Sequence, residues 1–393
     1  MSSLAPDDAV RPPLSLYIHI PWCVKKCPYC DFNSHTAPQG LPQREYVTAL
    51  LADLDQDLRD YAGALAGREI VSVFFGGGTP SLFSAESIGA ILDGSQQRIP
   101  FATNIEITLE TNPGTVEHGR FEEYRRAGVN RISFGIQSFD DEKLARIGRI
   151  HGGVEAERAV QLAQRAGYDN INLDLMYALP QQDLSGALAD VERALALAPS
   201  HISHYQLTLE PNTAFATNPP ALPGDDLAWD MQEACQERLS SAGFNHYETS
   251  AYALPERQSL HNLNYWTFGD YLGIGAGAHA KISDSGCSSV RRRWKIRAPN
   301  AYLAHAGTAR GIGGDDAVDI AQRPFEFMLN GLRLADGIPL THFAASTGLH
   351  PSVLQAPLAE ARQRGWLTSD PHRLQPTALG QRFLNDVIGL FLP

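Results

Sequence analysis

The stretch LSLYIHIPWCVKKCPYCDF, residues 14–32, decides the fold and contains the first candidate site. Its first seven residues alternate apolar and polar side chains and predict a β-strand. Cys23, Cys27 and Cys30 follow on the loop that leaves this strand. In α/β proteins, ligands collect at the carboxyl ends of parallel strands, so the loop is placed where a functional site is expected.

Apolar or alternating runs recur along the chain, and longer amphipathic stretches separate them. The six predicted strands are LSLYIHI (14–20), IVSVFFGG (70–77), NIEITLE (104–110), RISFGIQ (131–137), NINLDLM (170–176) and HISHYQLTL (201–209). Helices are predicted between them, for example over 84–97 with Ser84 as the N-cap and over 152–167 ending at Gly167. This alternation predicts an α/β fold with a parallel sheet, either doubly wound or curled toward a (β/α) barrel.

The pattern changes after Gly313, where short helical segments alternate with two short strand-like segments. We therefore expect a small C-terminal α+β domain of winged-helix type. The predicted limits are an N-terminal tail (1–13), a main domain (14–245), a connecting segment (246–312) and the C-terminal domain (313–393).

Composition narrows the class of protein. The chain has 393 residues, 43% of them hydrophobic, which is enough to bury a large core. Its net charge of -12 argues against a nucleic-acid partner. No run of about 18 apolar residues and no basic-then-apolar leader is present, so we expect a cytoplasmic protein. Five cysteines, three of them clustered, suit a metal centre in a reducing compartment.

The C-x3-C-x2-C spacing leaves three alternatives open. A [4Fe-4S] cluster commonly takes four cysteine ligands, and three here would leave one iron open to a small molecule. A zinc site of three cysteines and His35 is the second alternative, since this set forms a closed tetrahedron. Unpaired structural cysteines are the third.

Other polar groups are expected on the same rim. Glu110, Gln137 and Asp174 each lie at or near the end of a predicted strand, and the triglycine Gly76–Gly78 ends another. Glycine lets the backbone approach a ligand closely. Because these groups end successive apolar strands, we expect them to converge near the cysteines.

The motifs YIHIPWC, GGGTPS, ETNP, GIQSF, GRIH and LDLMYALP resemble the coproporphyrinogen oxidase-like branch of the radical S-adenosylmethionine (SAM) superfamily over nearly the whole chain. The resemblance implies a partial barrel of six parallel strands and a [4Fe-4S] cluster whose open iron is chelated by SAM. It also implies roles for individual residues: Cys23, Cys27 and Cys30 bind the cluster, Tyr17 and Tyr29 pack by the cofactor, Gly77, Gly78 and Thr79 meet the methionine part of SAM, and Glu110, Gln137, Arg149 and Asp174 bind its amino and nucleoside parts.

Within that branch, HNLNYW (261–266) matches the HNxxYW motif of the heme chaperones. The resemblance implies a chaperone that binds heme, with His261 as candidate ligand, and hands it to membrane-bound respiratory proteins, so a peripheral position at the membrane is also expected. The alternative is a coproporphyrinogen III oxidase, but those oxidases have a further cysteine where this chain has Phe32.

Residues alone leave the role of His261 open, because it could equally cap a loop while Tyr265 and Trp266 fill a domain joint. The candidates for a second iron ligand are His201, His204, His246, His279 and His305. Monomer and dimer stay open as well.

RRRWKIR (291–297) is a dense basic run. It predicts a solvated strand, and the alternative is a basic-aromatic patch for nucleic acid, anionic lipid or heme propionates.

Overall fold

The computed structural model describes residues 11–115 and 120–393. The first ten residues of the predicted tail (1–13) therefore lie outside the described residues. None of the helices in the described ranges combines the length and the hydropathy that a membrane crossing requires.

The first half of the chain alternates strands and helices. Its strands are β1 (Leu14–Ile20), β2 (Trp22–Cys23), β3 (His35–Thr36), β4 (Ile70–Gly77), β5 (Phe101–Thr111), β6 (Arg131–Gln137), β7 (Ile171–Tyr177) and β8 (His201–Gln206). Its helices are α1 (Gln43–Asp60), α2 (Ala62–Leu65), α3 (Ala85–Gln96), α4 (Arg120–Arg126), α5 (Asp141–Arg146), α6 (Gly153–Arg165) and α7 (Leu184–Ala196).

The second half extends the sheet and then adds the helical C-terminal part. Its strands are β9 (Asn245–Glu248), β10 (Ala251–Ala253), β11 (Asp270–Ile274), β12 (His279–Ser283), β13 (Val290–Lys295), β14 (Ile312–Ala317), β15 (Ile338–Pro339) and β16 (Arg373–Leu374). Its helices are α8 (Ala214–Thr217), α9 (Asp225–Ser241), α10 (Leu260–Trp266), α11 (Pro299–His305), α12 (Arg323–Gly331), α13 (Leu340–Thr347), α14 (Gln355–Gln363), α15 (Ala378–Arg382) and α16 (Leu384–Gly389).

One large sheet organises the main part of the molecule. It runs in the order β14-β13-β12-β11-β1-β4-β5-β6-β7-β8-β10-β9, and β1, β4, β5, β6, β7 and β8 pair in parallel as predicted. Strand β11 adds a further parallel strand beside β1, while the strands beyond it are antiparallel. In the described residues β14 and β9 are the two edges, so the barrel is partial. The predicted α/β fold class is confirmed.

The helices begin and end where local chemistry dictates. The Ser84 side chain accepts a hydrogen bond from the Ser87 N–H and caps α3, as predicted. The chain leaves α6 through Gly167, whose φ of +87° is one that glycine adopts without strain.

Among the described residues, the two largest apolar cores belong to the main part and to the C-terminal part of the molecule. The main one lies between the sheet and the helices that cover it, and it includes fully buried residues such as Leu16, Phe75 and Leu173. The second is in the C-terminal part and contains Phe268, from the end of the α10 segment, packed against Phe327.

The limits 245 and 312 of the predicted domains stay a prediction. The connecting segment contributes β9 to β13 to the large sheet, and β14 lies across the limit at 312. Beyond it, short helices and the small β15–β16 pair form the C-terminal part.

The basic run forms strand β13, but the prediction that it is solvated is wrong in part. Arg293 and Lys295 are 5% and 1% exposed. Lys295 Nζ lies 2.5 Å from Asp53 and 2.7 Å from Asp57, both on α1, and Arg293 Nη1 lies 2.8 Å from Asp57. Alternate side chains of the strand face the helix that covers the sheet, and the carboxylates of that helix compensate their charge.

Candidate functional site

The cysteine loop follows β1 and is braced by its own backbone. Cys30 N–H donates to the Cys27 carbonyl at 3.2 Å, and Lys26 Nζ donates to two backbone carbonyls of the loop. All three thiols are half-buried and free of disulfides, and the Cys30 sulfur lies 3.7 Å from the Ser34 hydroxyl. Burial raises the pKa of Cys23 and of Cys30, so binding of a metal by these thiols would release their protons.

The three thiols share one cavity of about 130 Å³ with most of the other predicted site residues. We call it the small cavity. Its lining includes Cys23, Cys27, Cys30, Tyr29, Gly77, Gly78, Thr79, Glu110, Gln137, Arg149 and Asp174. Of the predicted site residues, Tyr17 and His261 do not line it.

The glycine turn at the end of β4 is required by close packing. Gly77 has a φ of +109°, and a Cβ there would lie 2.5 Å from the His19 ring. A Cβ on Gly78 would lie 2.5 Å from the Trp22 carbonyl oxygen. The backbone of Gly77 also hydrogen-bonds Glu110. Larger residues at these two positions would clash with His19 and with the backbone of Trp22, which directly precedes the cysteine loop.

Two carboxyl groups lie on the floor of the small cavity. Burial, together with the charge of Asp174, raises the pKa of Glu110 to about 8. Burial likewise raises the pKa of Asp174, which accepts a hydrogen bond from Asn172 at 2.8 Å. Carboxylates in such a place are poised to gain a cationic partner, because a nearby positive charge would offset the cost of their burial.

Gln137 ends β6 in an uncommon backbone conformation. Its φ is +74°, and the β6–β7 register shifts between Gly135 and Gln137. A bulge of this kind re-aims a side chain, and strained backbone concentrates at functional sites. The Gln137 Oε1 atom accepts a hydrogen bond from the Tyr205 hydroxyl at 2.8 Å.

Arg149 joins the cysteine loop to the strand ends. Its guanidinium donates to the Asn112 side chain and to the Gly135 carbonyl, and Nη1 lies 3.6 Å from the Cys27 sulfur. Burial by itself would lower the pKa of Arg149, but the neighbouring Tyr29 and Cys27 outweigh it and raise that pKa. The group is therefore a permanent cation held at the cavity wall.

Asn112 and Tyr205 also line the small cavity, although neither was singled out from the sequence. Asn112 belongs to the ETNP motif that contains Glu110, and Tyr205 is the penultimate residue of β8. The rule that polar residues at the ends of parallel strands form the site would have found both.

A second cavity, of about 590 Å³, adjoins the first, and we call it the large cavity. Phe32, Gly77, Glu110 and Asp174 line both. Tyr17 lies here, with its hydroxyl 3.0 Å from His19 Nδ1. The aromatic residues that line the large cavity are Tyr17, Phe32, Phe74, Tyr265, Tyr271 and Trp294. Its polar lining includes Arg131, Ser133, Asn172, Ser203 and Arg297.

The HNLNYW motif forms α10, and its histidine lies behind the wall of the large cavity. His261 is 1% exposed, with Nδ1 2.9 Å from the Ser72 hydroxyl and Nε2 3.1 Å from the Tyr265 hydroxyl. Burial lowers the pKa of His261 to about 3, so the ring is neutral. Asn262 and Tyr265 of the motif face the cavity itself. The Trp266 ring lies under the Arg333 guanidinium at 4.3 Å, which joins α10 to the C-terminal part.

The zinc alternative gains no support from His35. Its Nε2 atom lies 3.2 Å from the Asn33 side chain, and His35 does not line the small cavity. In residues 11–115 and 120–393, no three His, Cys, Asp or Glu side chains are already arranged as a metal-binding group. The three thiols line one cavity together with Gly77 and Gly78, so a cluster held by the loop would lie beside the strand ends.

Comparison with known proteins agrees with this geometry. The family model of the Radical SAM superfamily matches residues 17–194, and that of the HemN C-terminal domain matches residues 318–383. The solved structure of Escherichia coli coproporphyrinogen III oxidase, HemN, covers 98% of this chain and 91% of its own with a TM-score of 0.79. At 22% identity this likeness concerns the fold alone. Fold and site thus define a radical SAM protein with a HemN-type C-terminal domain, and that class implies a [4Fe-4S] cluster and SAM.

Two relatives narrow the class. The heme chaperone HemW of Escherichia coli (strain K12) is 50% identical over 381 residues, which are 97% of this chain and 98% of the relative. The heme chaperone HemW of Haemophilus influenzae is 49% identical over 383 residues, with the same coverage. The chain belongs to the HemW family of radical SAM proteins.

Proposed function

We propose that this protein is a heme chaperone, which binds heme in the large cavity and delivers it to membrane-bound proteins of the respiratory chain. The observation that carries the proposal is the large cavity of about 590 Å³ beside the small one. The relatives at 50% and 49% identity are named heme chaperones.

The lining of the large cavity suits a flat macrocycle with acidic side chains. Its volume lies in the usual range for sites of large organic ligands, about 300–1,000 Å³. Aromatic rings offer stacking faces, and the Phe32 ring, 60% exposed, projects between the two cavities. Arg297 is exposed on the rim and has no hydrogen-bond partner for its guanidinium among the described residues, so it is available to a propionate.

In the small cavity, we assign Cys23, Cys27 and Cys30 to the [4Fe-4S] cluster. The assignments for SAM are Tyr29 packing beside it in the small cavity and Tyr17 packing beside it from the large cavity, Gly77, Gly78 and Thr79 against its methionine part, and Glu110, Gln137, Arg149 and Asp174 for its amino and nucleoside parts. Bound there, the pair supplies one-electron reductive chemistry. The shared cavity, the close-packed glycine turn and the buried carboxyl groups support these assignments.

His261 is a candidate heme ligand because it is the histidine of the HNLNYW motif. In the described conformation both ring nitrogens have hydrogen-bond partners, and the ring supports Tyr265 from behind. Binding of iron by His261 stays a prediction, and it requires the Tyr265 hydroxyl to leave Nε2.

Heme binding in the large cavity can be tested with a substitution that fills the cavity with a larger side chain. Asn262 lines the large cavity and is partly buried, whereas Leu260 on the same helix is 47% exposed. Hemin is titrated into anaerobically reconstituted wild-type protein, Asn262→Trp and the matched control Leu260→Trp, with the Soret band as the readout. We expect Asn262→Trp to weaken hemin binding at least tenfold and Leu260→Trp to bind like wild type. Wild-type protein that takes up no hemin, or equal binding by both variants, would refute the proposal.

Two further assays complete the test. Heme-loaded protein is mixed with vesicles that contain a heme-free b-type cytochrome, and we expect heme to move to the cytochrome. The same preparation is incubated with coproporphyrinogen III and SAM under reducing conditions, and we expect no decarboxylated product. Steady formation of that product without heme transfer would favour the oxidase instead.

A further inference from the structure

Two histidines, His19 and His279, line the large cavity, and both ring nitrogens of His19 already have hydrogen-bond partners. His19 is 5% exposed, its Nδ1 lies 3.0 Å from the Tyr17 hydroxyl, and its Nε2 lies 2.9 Å from the Asn33 carbonyl. Burial lowers the pKa of His19 to about 4. With both nitrogens held, this ring cannot bind iron unless one of these hydrogen bonds breaks.

His279 is different in each of these respects. It is the first residue of β12 and lines the large cavity, its side chain is exposed, and its ring has no hydrogen-bond partner among the described residues. The β12–β13 register pairs it directly with Trp294. The two rings are stacked, with centroids 6.2 Å apart and an angle of 23° between their planes.

This arrangement keeps a neutral imidazole oriented and available. Although the His279 side chain is exposed on one side, the protein that surrounds the rest of it and the charges of Arg292 and Arg297 lower its pKa, so the ring has a free lone pair at neutral pH. Trp294 restricts the orientation of the ring. Arg297 lines the same cavity, and its charge acts on His279, so it is available to a carboxylate of a ligand held there.

The remaining candidates are poorly placed. His201 is fully buried, and both of its nitrogens have partners, the Asn172 side chain and the Tyr247 hydroxyl. His204 is 4% exposed and stacked on Tyr177. Neither these two nor His246 and His305 are among the residues that line the large cavity.

We propose that His279, rather than the histidine of the HNLNYW motif, is the side chain that binds the iron of heme in the large cavity. The inference rests on the proposed heme binding. His261 then acts as a positioning residue, which fixes the Tyr265 hydroxyl and the wall of the cavity.

The proposal is tested by four histidine-to-glutamine variants of the full chain, reconstituted anaerobically and titrated with hemin: His279→Gln, His261→Gln, the double variant, and His372→Gln as the control. His372 is exposed in the C-terminal part, and its ring has no hydrogen-bond partner among the described residues. Circular dichroism and iron and sulfide content verify that each variant is folded and loaded. The readouts are the Soret position, the electron paramagnetic resonance spectrum of the ferric heme, and the dissociation constant.

We expect His279→Gln to lose the histidine-bound spectrum and to bind hemin at least tenfold more weakly, while His372→Gln matches wild type. Free imidazole added to a His279→Gly variant should restore the histidine-type spectrum, which a merely structural role would not allow. Wild-type hemin binding with an unchanged spectrum in His279→Gln and a lost one in His261→Gln would overturn this inference and leave the heme proposal standing. Failure of wild-type protein to bind hemin would overturn both.

Discussion

Replacing Glu110 by glutamine should abolish a pH dependence of SAM binding that the structure predicts. The pKa of Glu110 is about 8 because the carboxyl group is buried beside Asp174. Near pH 7 most molecules therefore carry the neutral acid, whereas the amino N–H donors and the sulfonium cation of SAM are best met by the carboxylate. The binding-competent state is a minority at neutral pH and grows as the pH rises.

The size of the expected change in SAM affinity follows from the pKa of Glu110. The ionised fraction of Glu110 is about 3% at pH 6.5 and about 24% at pH 7.5, and the apparent dissociation constant scales inversely with the competent fraction. The affinity for SAM should thus rise roughly eightfold between these pH values, which corresponds to about 1.2 kcal/mol. Glutamine keeps the shape of the side chain but does not titrate, so Glu110→Gln should bind weakly with little change across the range.

Isothermal titration of SAM into anaerobically reconstituted protein at both pH values measures this effect. Glu86→Gln is the matched control, because Glu86 is an exposed residue in the first turn of α3. A wild-type affinity that does not change over this range would refute the argument. So would a Glu110→Gln variant that keeps the eightfold change, since the titrating group would then be another residue.

Three other substitutions probe the packing behind the site. Lys295→Met leaves the buried carboxylate of Asp53 without its cation and should lower the free energy of unfolding by about 3 kcal/mol, measured by urea denaturation; an unchanged midpoint would contradict the buried ion pair. Gly78→Ala places a Cβ 2.5 Å from the Trp22 carbonyl oxygen, so iron and sulfide incorporation should fall severalfold, and full incorporation would mean that the turn adapts. Tyr205→Phe removes the hydrogen bond that orients the glutamine at the end of β6, and it should weaken SAM binding by about 0.5–1.5 kcal/mol, or about two- to thirteenfold, in the same titration. Wild-type affinity would show that the bond is dispensable.

The parallel part of the sheet could be predicted from the sequence because each of its strands is indicated by the pattern of apolar residues within that strand. Strands that face a core place an apolar residue at every second position, and LSLYIHI and INLDLMY, β1 and β7, have this pattern. Strand β11, DYLGI, is shorter and lies outside the regular strand-helix alternation. Its place beside β1 depends on a pairing between residues more than 250 positions apart, such as Leu14 with Asp270, which no local pattern reports.

That polar residues from several strands come together around the small cavity could also be predicted from the sequence. Parallel strands place their carboxyl ends on one edge, so a polar residue at each end indicates a shared site without any knowledge of loops. The buried charges of β13 were not predictable in this way. A run such as RRRWKIR specifies a strand, but whether Lys295 faces water or Asp53 depends on which helix covers that face of the sheet.

The HNLNYW motif can likewise be recognised from local sequence, but the direction in which its histidine points depends on the neighbouring strands. A motif identifies residues that matter, but on a short helix adjacent positions point in different directions, so Asn262 and Tyr265 face the large cavity while His261 faces Ser72 behind it. An imidazole with both nitrogens bonded acts on its neighbours, whereas one with a free lone pair can act on a ligand. Because both nitrogens of His261 are hydrogen-bonded and the ring of His279 has no such partner among the described residues, we expect the chemistry of the motif to be divided between two histidines that lie 18 positions apart.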